Sequence, residues 1–152
     1  MIQTPTTKDY DAINELARQV LVQHIGYRPD IYRMAEKPFR QEYYNSLIEN
    51  NRIFIFKQGD TIAGYTIIRI DEKDAPAIHC RKSLLIEDLA VKTGHQNQGI
   101  GTALMNHIKS IAKRENCTLM ELCVNPENTN AIRLYEKLGM TAKHIKYSTK
   151  VE

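Results

Sequence analysis

Gln96-Asn97-Gln98-Gly99-Ile100-Gly101 decides the fold of this chain, because this loop joins a strand-like run to a helix-like run. Its two glycines bracket one residue, and glycine permits positive φ and the close approach of a ligand to bare amides. A helix that begins here directs its free N–H groups, and the positive end of its dipole, back at the loop. The loop is therefore predicted to bind a phosphate or pyrophosphate.

Two common phosphate-binding motifs do not fit this loop. A Walker A loop needs Gly-Lys followed by Ser or Thr, whereas Ile100 stands where the lysine should be. A dinucleotide fingerprint needs a third glycine three residues after the second, and Leu104 stands there. That fingerprint also lies early in a βαβ unit, and the position of this loop in the chain does not fit. From the two glycines alone, a plain tight turn between strand and helix remains an alternative.

Length and composition narrow the class of protein. The 152 residues suit one domain, expected to cover residues 1–152. No apolar run approaches the roughly 18 residues of a membrane span, and the first residues lack the apolar core of a signal peptide, so a cytoplasmic location is expected. A net charge of +3 with scattered basic residues argues against a nucleic-acid surface. Cys80, Cys117 and Cys123 lack metal-ligand spacing, which predicts buried reduced thiols and no metal.

Hydrophobic periodicity predicts helices and strands in the order α, α, β, β, β, α, β, α, β. Thr6 or Thr7 caps the first helix, which Gly26 ends, and Pro38 opens the second. The predicted strands are 53–56, 62–70, 84–91, 118–124 and 141–151, with a polar loop over 71–81. The remaining helices begin at Ile100 and at about Asn128. This order predicts a mixed α/β fold.

Two motifs together resemble the GNAT acetyltransferase superfamily. The sequence Gln96-x-x-Gly99-x-Gly101 is similar to its acetyl-CoA pyrophosphate loop. Residues 128–140 resemble the segment Asn-x-x-Ala-x-x-Leu-Tyr-x-x-x-Gly-Phe, with Met140 in place of the usual Phe. The resemblance covers about residues 84–147, and the first 80 residues carry no comparable signature. It implies a GNAT acyltransferase fold of the α/β (α+β) class, with a mixed, mostly antiparallel sheet flanked by helices.

The resemblance also implies cofactor-binding residues. Backbone amides of the loop would hold the pyrophosphate of acetyl-CoA, at Gln96, Asn97, Gln98, Gly99, Ile100, Gly101 and Thr102. The preceding strand would pair with the pantetheine arm, at Leu89, Ala90 and Val91. Asn128 would contact CoA, and Tyr135 would lie near the thioester sulfur. Many family loops carry an Arg or Lys next to the first motif residue, whereas Asn97 and Gln98 of this chain are neutral. Backbone N–H groups and the helix dipole are therefore expected to supply most of the anion binding.

The implied activity is transfer of an acetyl group from acetyl-CoA to a primary amine, by direct attack on the thioester. An alkyl amine with a pKa of about 10 is roughly 0.1% neutral at pH 7, so a base would help. Glu87 is the preferred base, because residues 86–89 resemble the corresponding strand of polyamine acetyltransferases; Asp88 and water are the alternatives. Adjacent strand residues are expected on opposite faces, so only one carboxylate should face the acceptor. Tyr135 is the candidate acid for the leaving thiolate.

The acceptor pocket is expected to involve the N-terminal helices and the loop between them. Its candidate residues are Tyr27, Arg28, Asp30, Tyr32, Glu36, Tyr43 and Tyr44. A small-molecule or peptide amine is the expected partner, with neither nucleic acid nor a membrane, and a homodimer stays open. Polyamine-like, amino-sugar, peptide N-terminal and lysine acceptors are not distinguished. The alternative function is a non-catalytic acyl-CoA-binding sensor or assembly module of the same fold.

Overall fold

A computed structural model of the chain describes residues 1–151. In chain order the elements of this part are β1 (Ile2–Gln3), α1 (Tyr10–Tyr27), α2 (Gln41–Glu49), β2 (Ile53–Gln58), β3 (Thr61–Ala75), β4 (Ile78–Val91), α3 (Ile100–Arg114), β5 (Leu119–Leu122) and α4 (Thr129–Lys137). A 3-10 turn at Thr7–Asp9 precedes α1. Thr6 begins it with a capping box, in which the Thr6 backbone N–H donates to Asp9 Oδ2 at 2.8 Å. Thr6 therefore caps the 3-10 turn that leads into α1, while the N-cap of α1 itself is Asp9.

The strands form one sheet in the order β1-β2-β3-β4-β5. The first three pairings are antiparallel and β4 pairs with β5 in parallel, which confirms the predicted mixed, mostly antiparallel sheet. The parallel ladder is short and ends where Ile86 meets Leu122. Past that point β4 is paired with β3 alone, so the other edge of residues 87–91 is free of backbone partners among the described residues.

Helices cover both faces of the sheet. Apolar side chains of α1 and α2 pack on one face with Ile53, Ile55, Tyr65 and Ile67. Those of α3 pack on the other face with Ile68, Leu84 and Ile86, and α4 adds Tyr135 to this second core. Full burial of each such side chain stabilises the fold by about 1.5–3 kcal/mol before entropy is counted. The helical stripes predicted from the sequence are therefore the core-facing sides of α1 to α4.

The β3–β4 hairpin runs further than predicted. Residues 71–81, predicted as a loop, form the outer parts of both strands, and residues 76 and 77 make the turn. Glu72 lies opposite Lys82 in the ladder, with 3.9 Å between Oε1 and Nζ. This ribbon lies beyond the helices and is mostly exposed, so its strands lack the apolar alternation on which the prediction depended.

Other predictions were also wrong. Residues 141–151 were predicted as a strand, yet they adopt no regular secondary structure and pair with no strand within residues 1–151. The second helix begins at Gln41 instead of Pro38, because Arg40 is extended, at ψ 152°, and serves as its N-cap. Cys80 and Cys123 are exposed rather than buried. None of the helices in the described part of the chain has the length and apolar character to cross a bilayer.

Candidate active site

A β-bulge in β4 places two adjacent carboxylates on one side of the sheet. Ile68 pairs with Ile86 and Ile67 pairs with Asp88, so Glu87 is the extra residue. The negative charges of Glu87 and Asp88 both add to burial in raising the pKa of Tyr43, on α2. The expectation that only one of them faces the acceptor side assumed a regular strand and was wrong.

Asp88 is held by hydrogen bonds from β3. Its Oδ2 accepts from the Tyr65 hydroxyl at 2.7 Å, and its backbone oxygen accepts from Thr66 Oγ1 at 3.0 Å. Burial raises the pKa of the Asp88 carboxyl, although the Tyr65 hydrogen bond and the charge of His24 oppose that rise. Burial and the charge of Asp88 raise the pKa of Tyr65 far above its ordinary range, so this phenol stays a donor. The result is a carboxylate that binds a proton more readily than an exposed one.

Glu87 has both of its carboxylate oxygens engaged by arginines. Oε2 lies 3.0 Å from Arg52 Nη2, and Oε1 lies 2.7 Å from Arg69 Nε. Arg52 is itself fixed, since its Nε donates to the backbone oxygen of Ile68 at 2.9 Å. Both oxygens of Glu87 are therefore occupied by charge-assisted hydrogen bonds.

The glycine loop ends in a helix N-terminus with free donors. Gly99 caps α3 at φ 80°, and the first bond of the helix runs from Ala103 N–H to Gly99 O at 2.9 Å. Backbone N–H groups of residues 98–102 donate to no acceptor within residues 1–151. Apart from its own chain neighbours, no atom of residues 1–151 lies within 4 Å of a Cβ built on Gly99, so the loop is open there. These donors and the helix dipole fit a pyrophosphate group.

Two glutamines attach the loop to the rest of the fold. Gln19, on α1, donates from Nε2 to Val91 O at 3.0 Å and accepts from Thr93 N–H at 2.8 Å, which fixes the end of β4. Gln58, at the end of β2, donates to Gln98 Oε1 at 3.2 Å and lies 2.8 Å from His95 Nδ1. The approach to α3 is therefore fixed from two directions.

Gly101 differs from Gly99 in what surrounds it. A Cβ at Gly101 would lie 3.0 Å from Leu134 Cδ2 of α4 and 3.9 Å from Val91 Cγ2. Its small size thus permits close packing of α3 against α4, the helix that carries Tyr135.

Asn128 and Tyr135 stand at opposite ends of α4. Asn128 caps the helix by accepting the Ala131 N–H on Oδ1 at 3.2 Å, which leaves its side-chain NH₂ group for another partner. Burial, followed by the negative charge of Asp88, raises the pKa of Tyr135 to about 12. The Tyr135 phenol is therefore a neutral hydrogen-bond donor at neutral pH.

The predicted acceptor residues divide between this site and the core. Tyr43 packs beside Phe39, with ring centroids 5.7 Å apart, and the charges of Glu87 and Asp88 add to burial in raising its pKa. Tyr32 stacks on His24 with ring centroids 5.0 Å apart. Arg28 and Asp30 pair with each other at 2.7 Å. Tyr44 is fully buried in the core under α1, so its predicted place in the pocket was wrong.

Four residues near the carboxylates were not found from the sequence: His24, Arg52, Tyr65 and Arg69. No motif marks any of them. Tyr65 lies in the strand predicted over 62–70, and it pairs with Ala90, two residues from Asp88, in the β3–β4 ladder. The strand pattern could therefore have suggested that Tyr65 lies near Asp88. The others come close to Glu87 or Asp88 only through the bulge and the helix packing.

Comparison with known proteins adds a family and a set of similar structures. The profile of the Acetyltransferase (GNAT) family matches residues 20–140. The uncharacterized N-acetyltransferase MJ1207 of Methanocaldococcus jannaschii is 25% identical over 126 residues, which are 76% of this chain and 56% of that protein. The chain thus spans little more than half the length of that relative.

Two solved structures have the same fold over nearly the whole chain. A mutant of the BH1408 protein from Bacillus halodurans is 25% identical with a TM-score of 0.94, covering 100% of this chain and 99% of its own. An aminoglycoside N-acetyltransferase in complex with CoA has 14% identity and a TM-score of 0.71, covering 99% of this chain and 100% of its own.

Proposed function

The chain belongs to the GNAT acetyltransferase family, and on that premise we propose that it transfers an acetyl group from acetyl-CoA to a primary amine. The observation that carries the proposal is the convergence of three elements. The backbone edge of β4 at residues 87–91 is free of strand partners within residues 1–151, the amides at the start of α3 are open, and Gly101 of α3 approaches both Val91 of β4 and Leu134 of α4, next to Tyr135 in the chain. An extended thioester fits such an edge, with an anion site at one end and a proton donor at the other.

Binding is assigned residue by residue. The amides of Gln98, Gly99, Ile100, Gly101 and Thr102 hold the pyrophosphate, with Gln96 and Asn97 at the entrance. Backbone groups of Leu89, Ala90 and Val91 pair with the pantetheine arm, and the side-chain NH₂ of Asn128 donates to it. Asn97 and Gln98 are neutral, so affinity depends mainly on the amides and on the dipole of α3.

The chemistry requires one bond to form, one to break and two proton movements. The amine nitrogen bonds to the thioester carbon, the C–S bond breaks, the amine loses a proton and the thiolate gains one. Tyr135, with a pKa of about 12, is a much weaker acid than a thiol at about 8.5, so complete transfer is uphill by roughly 5 kcal/mol. Tyr135 therefore stabilises the leaving sulfur chiefly by donating a hydrogen bond.

Asp88 is the better placed base for the amine. Glu87, the residue preferred from the sequence, has each oxygen bonded to a guanidinium. Asp88 has one donor on its Oδ2 and an environment that raises its pKa. A base works best when its pKa is near the operating pH, and burial moves Asp88 in that direction. We accordingly assign proton removal to Asp88, directly or through water, and the positioning of Arg52 and Arg69 to Glu87.

Release of free thiol from acetyl-CoA tests the proposal. The purified chain is incubated with acetyl-CoA and a panel of polyamines, amino sugars, amino acids and peptides, and free thiol is measured. Amine-dependent release that Asp88→Asn reduces supports the proposal. Acetyl-CoA binding without turnover on any amine would instead indicate a non-catalytic acyl-CoA sensor.

A further inference from the structure

We propose that the acceptor is an ω-amino acid, whose amine meets Asp88 and whose carboxylate is bound by Arg69 and Arg52. The inference rests on the proposed function, since it names the class of acceptor for that same site. It makes the two arginines specificity-determining residues, which select an acceptor that carries a carboxylate as well as a primary amine.

The charged cluster next to Asp88 in the chain has more positive than negative charge. Oε2 of Glu87 lies 3.0 Å from Arg52 Nη2, and Oε1 lies 2.7 Å from Arg69 Nε. Within residues 1–151 no other ion pair involves either arginine. Two guanidinium groups therefore share one carboxylate, and a second carboxylate would complete the charge balance of the cluster.

Both arginines keep hydrogen-bond donors that the described part of the chain does not use. Arg69 donates only from Nε, so both of its Nη groups are without an acceptor in residues 1–151. Arg52 gives Nε to Ile68 O and Nη2 to Glu87, which leaves its Nη1. The Arg69 side chain is 49% exposed, so its remaining donors are accessible to a ligand. The planar fork of an arginine binds a carboxylate through two parallel hydrogen bonds.

The register of the sheet sets how far this carboxylate site is from Asp88. Ile67 of β3 lies opposite Asp88, and its side chain packs with those of α1 and α2. Arg69 is two residues further along β3, so it belongs to the same face, about 7 Å along the strand. The amine and carboxylate of an α-amino acid share one carbon and do not span that distance. Several methylene groups must separate them, as in an ω-amino acid.

The same charges disfavour a polyamine. The carboxylates of Glu87 and Asp88 are matched by the two guanidinium groups, so no excess of negative charge remains to bind a second ammonium group. The far ammonium of a diamine would instead approach Arg69, and such a juxtaposition of like charges selects against that acceptor.

The first test compares four acceptors of equal carbon number in the assay for free thiol. ε-Aminocaproate, its amide and hexamethylenediamine end in an anionic, a neutral and a cationic group, and norleucine is the isomer of ε-aminocaproate with both groups on one carbon. We expect kcat/KM for ε-aminocaproate to exceed that for its amide and for norleucine by at least about tenfold, since charge-assisted hydrogen bonds are lost. The diamine should be the poorest acceptor.

The second test changes the arginine. Arg69→Gln is expected to lower the ratio of kcat/KM for ε-aminocaproate over its amide by about tenfold, and Arg69→Lys should restore part of it, because lysine keeps the charge without the fork. A general loss of activity cancels from this ratio. Arg114→Gln removes the same charge at the exposed end of α3 and is the matched control. A wild-type ratio near one, or a ratio that Arg69→Gln leaves unchanged, would overturn the inference without affecting acetyl transfer.

Binding of the acceptor separates this inference from the proposed function. Saturation-transfer NMR with CoA present measures the binding of ε-aminocaproate to the wild-type chain and to Arg69→Gln. If no amine releases thiol, the proposed function is wrong, but binding that Arg69→Gln weakens would still support a site for ω-amino acids. Absence of ε-aminocaproate binding, with or without turnover of other amines, would overturn the inference.

Discussion

The Tyr65 hydroxyl donates a hydrogen bond of 2.7 Å to Oδ2 of Asp88, across the β3–β4 ladder and next to the bulge at Glu87. Asp88 is thus a half-buried carboxylate bonded by a neutral phenol, whereas both oxygens of its neighbour Glu87 are bonded to arginines. The two residues are adjacent in sequence and on the same side of the sheet, but their hydrogen-bond partners differ. This contrast makes the assignment of the base testable with two substitutions of the same kind.

Asp88→Asn is expected to lower kcat/KM by about 10²–10³-fold and to remove the acid limb of its pH profile, because it removes the base. In the wild-type chain that limb should lie above the range of an ordinary carboxyl, since burial raises the pKa of Asp88. Steady-state kinetics from pH 5 to 9 with saturating acetyl-CoA measure how kcat/KM depends on pH. Glu87→Gln is the matched control and should keep the limb. If Glu87→Gln loses the limb and Asp88→Asn keeps it, the base is Glu87.

The same substitution should not destabilise the fold at pH 8. The folded-state pKa of Asp88 is raised above the unfolded value of about 3.9, so its ionisation opposes folding. The favourable contribution of Asp88 is present below that unfolded value and is lost as pH rises through the folded one. Asp88→Asn is therefore expected to be at least as stable as the wild type at pH 8 in urea unfolding. A large loss of stability would show that the carboxylate is structural.

Tyr65→Phe removes a hydrogen-bond donor from the half-buried Asp88 carboxylate. Because that hydrogen bond lowers the pKa of Asp88, its loss should move the acid limb of the profile to higher pH. Stability at pH 8 should fall by about 1–3 kcal/mol, as expected for an acceptor left without its donor. Tyr44→Phe is the control, since its hydroxyl donates to Thr6 O at 2.6 Å, away from β4. If the acid limb of the Tyr65→Phe profile does not move, the Tyr65 hydrogen bond does not influence the group that titrates during catalysis.

The sequence was a good guide where local patterns decide the structure, and a poor one where tertiary packing does. The helical stripes, the cap at Thr6 and the strand-to-helix turn at Gly99 follow from local pattern and backbone sterics, and all three are present. The bulge at Glu87 has no local signature, since it depends on register with β3. Side-chain facing past the bulge was accordingly predicted wrongly. The segment 141–151 has the pattern of a strand but lacks a partner in its own chain, and pattern analysis cannot detect that absence.

Gly99 and Gly101 should differ in their effect on cofactor binding. Gly99→Ala places a side chain at φ 80°, which costs about 1–2 kcal/mol, and puts its methyl group in the opening of the loop. We expect a higher KM for acetyl-CoA. Gly139→Ala, at φ 86° with open space around it, should show a similar loss of stability without the change in KM. Equal KM values for the two variants would mean that the loop does not hold the cofactor.

Gly101→Ala tests packing rather than backbone strain. Its methyl group would approach Leu134 Cδ2 at 3.0 Å, so α3 and α4 must shift slightly. Because α4 carries Tyr135, the expected effect is a fall in kcat larger than the rise in KM for acetyl-CoA. Adding Leu134→Ala should restore part of kcat by making room for the methyl group. No restoration would indicate that Gly101 acts on the cofactor directly.

Tyr135→Phe should lower kcat by about 10–100-fold with little change in KM for acetyl-CoA, because in the proposed mechanism the phenol donates to the leaving sulfur and not to the bound thioester. The folded-state pKa of about 12 lies above the ordinary value of about 10. The stability from keeping this phenol neutral is thus present below pH 10 and is lost as pH rises from 10 to 12. The phenylalanine variant has no such loss, so its stability relative to the wild type should increase over that interval. Urea unfolding at pH 8 and pH 11 measures this difference. Unchanged turnover at unchanged stability would remove Tyr135 from the mechanism and leave it as a core residue of α4.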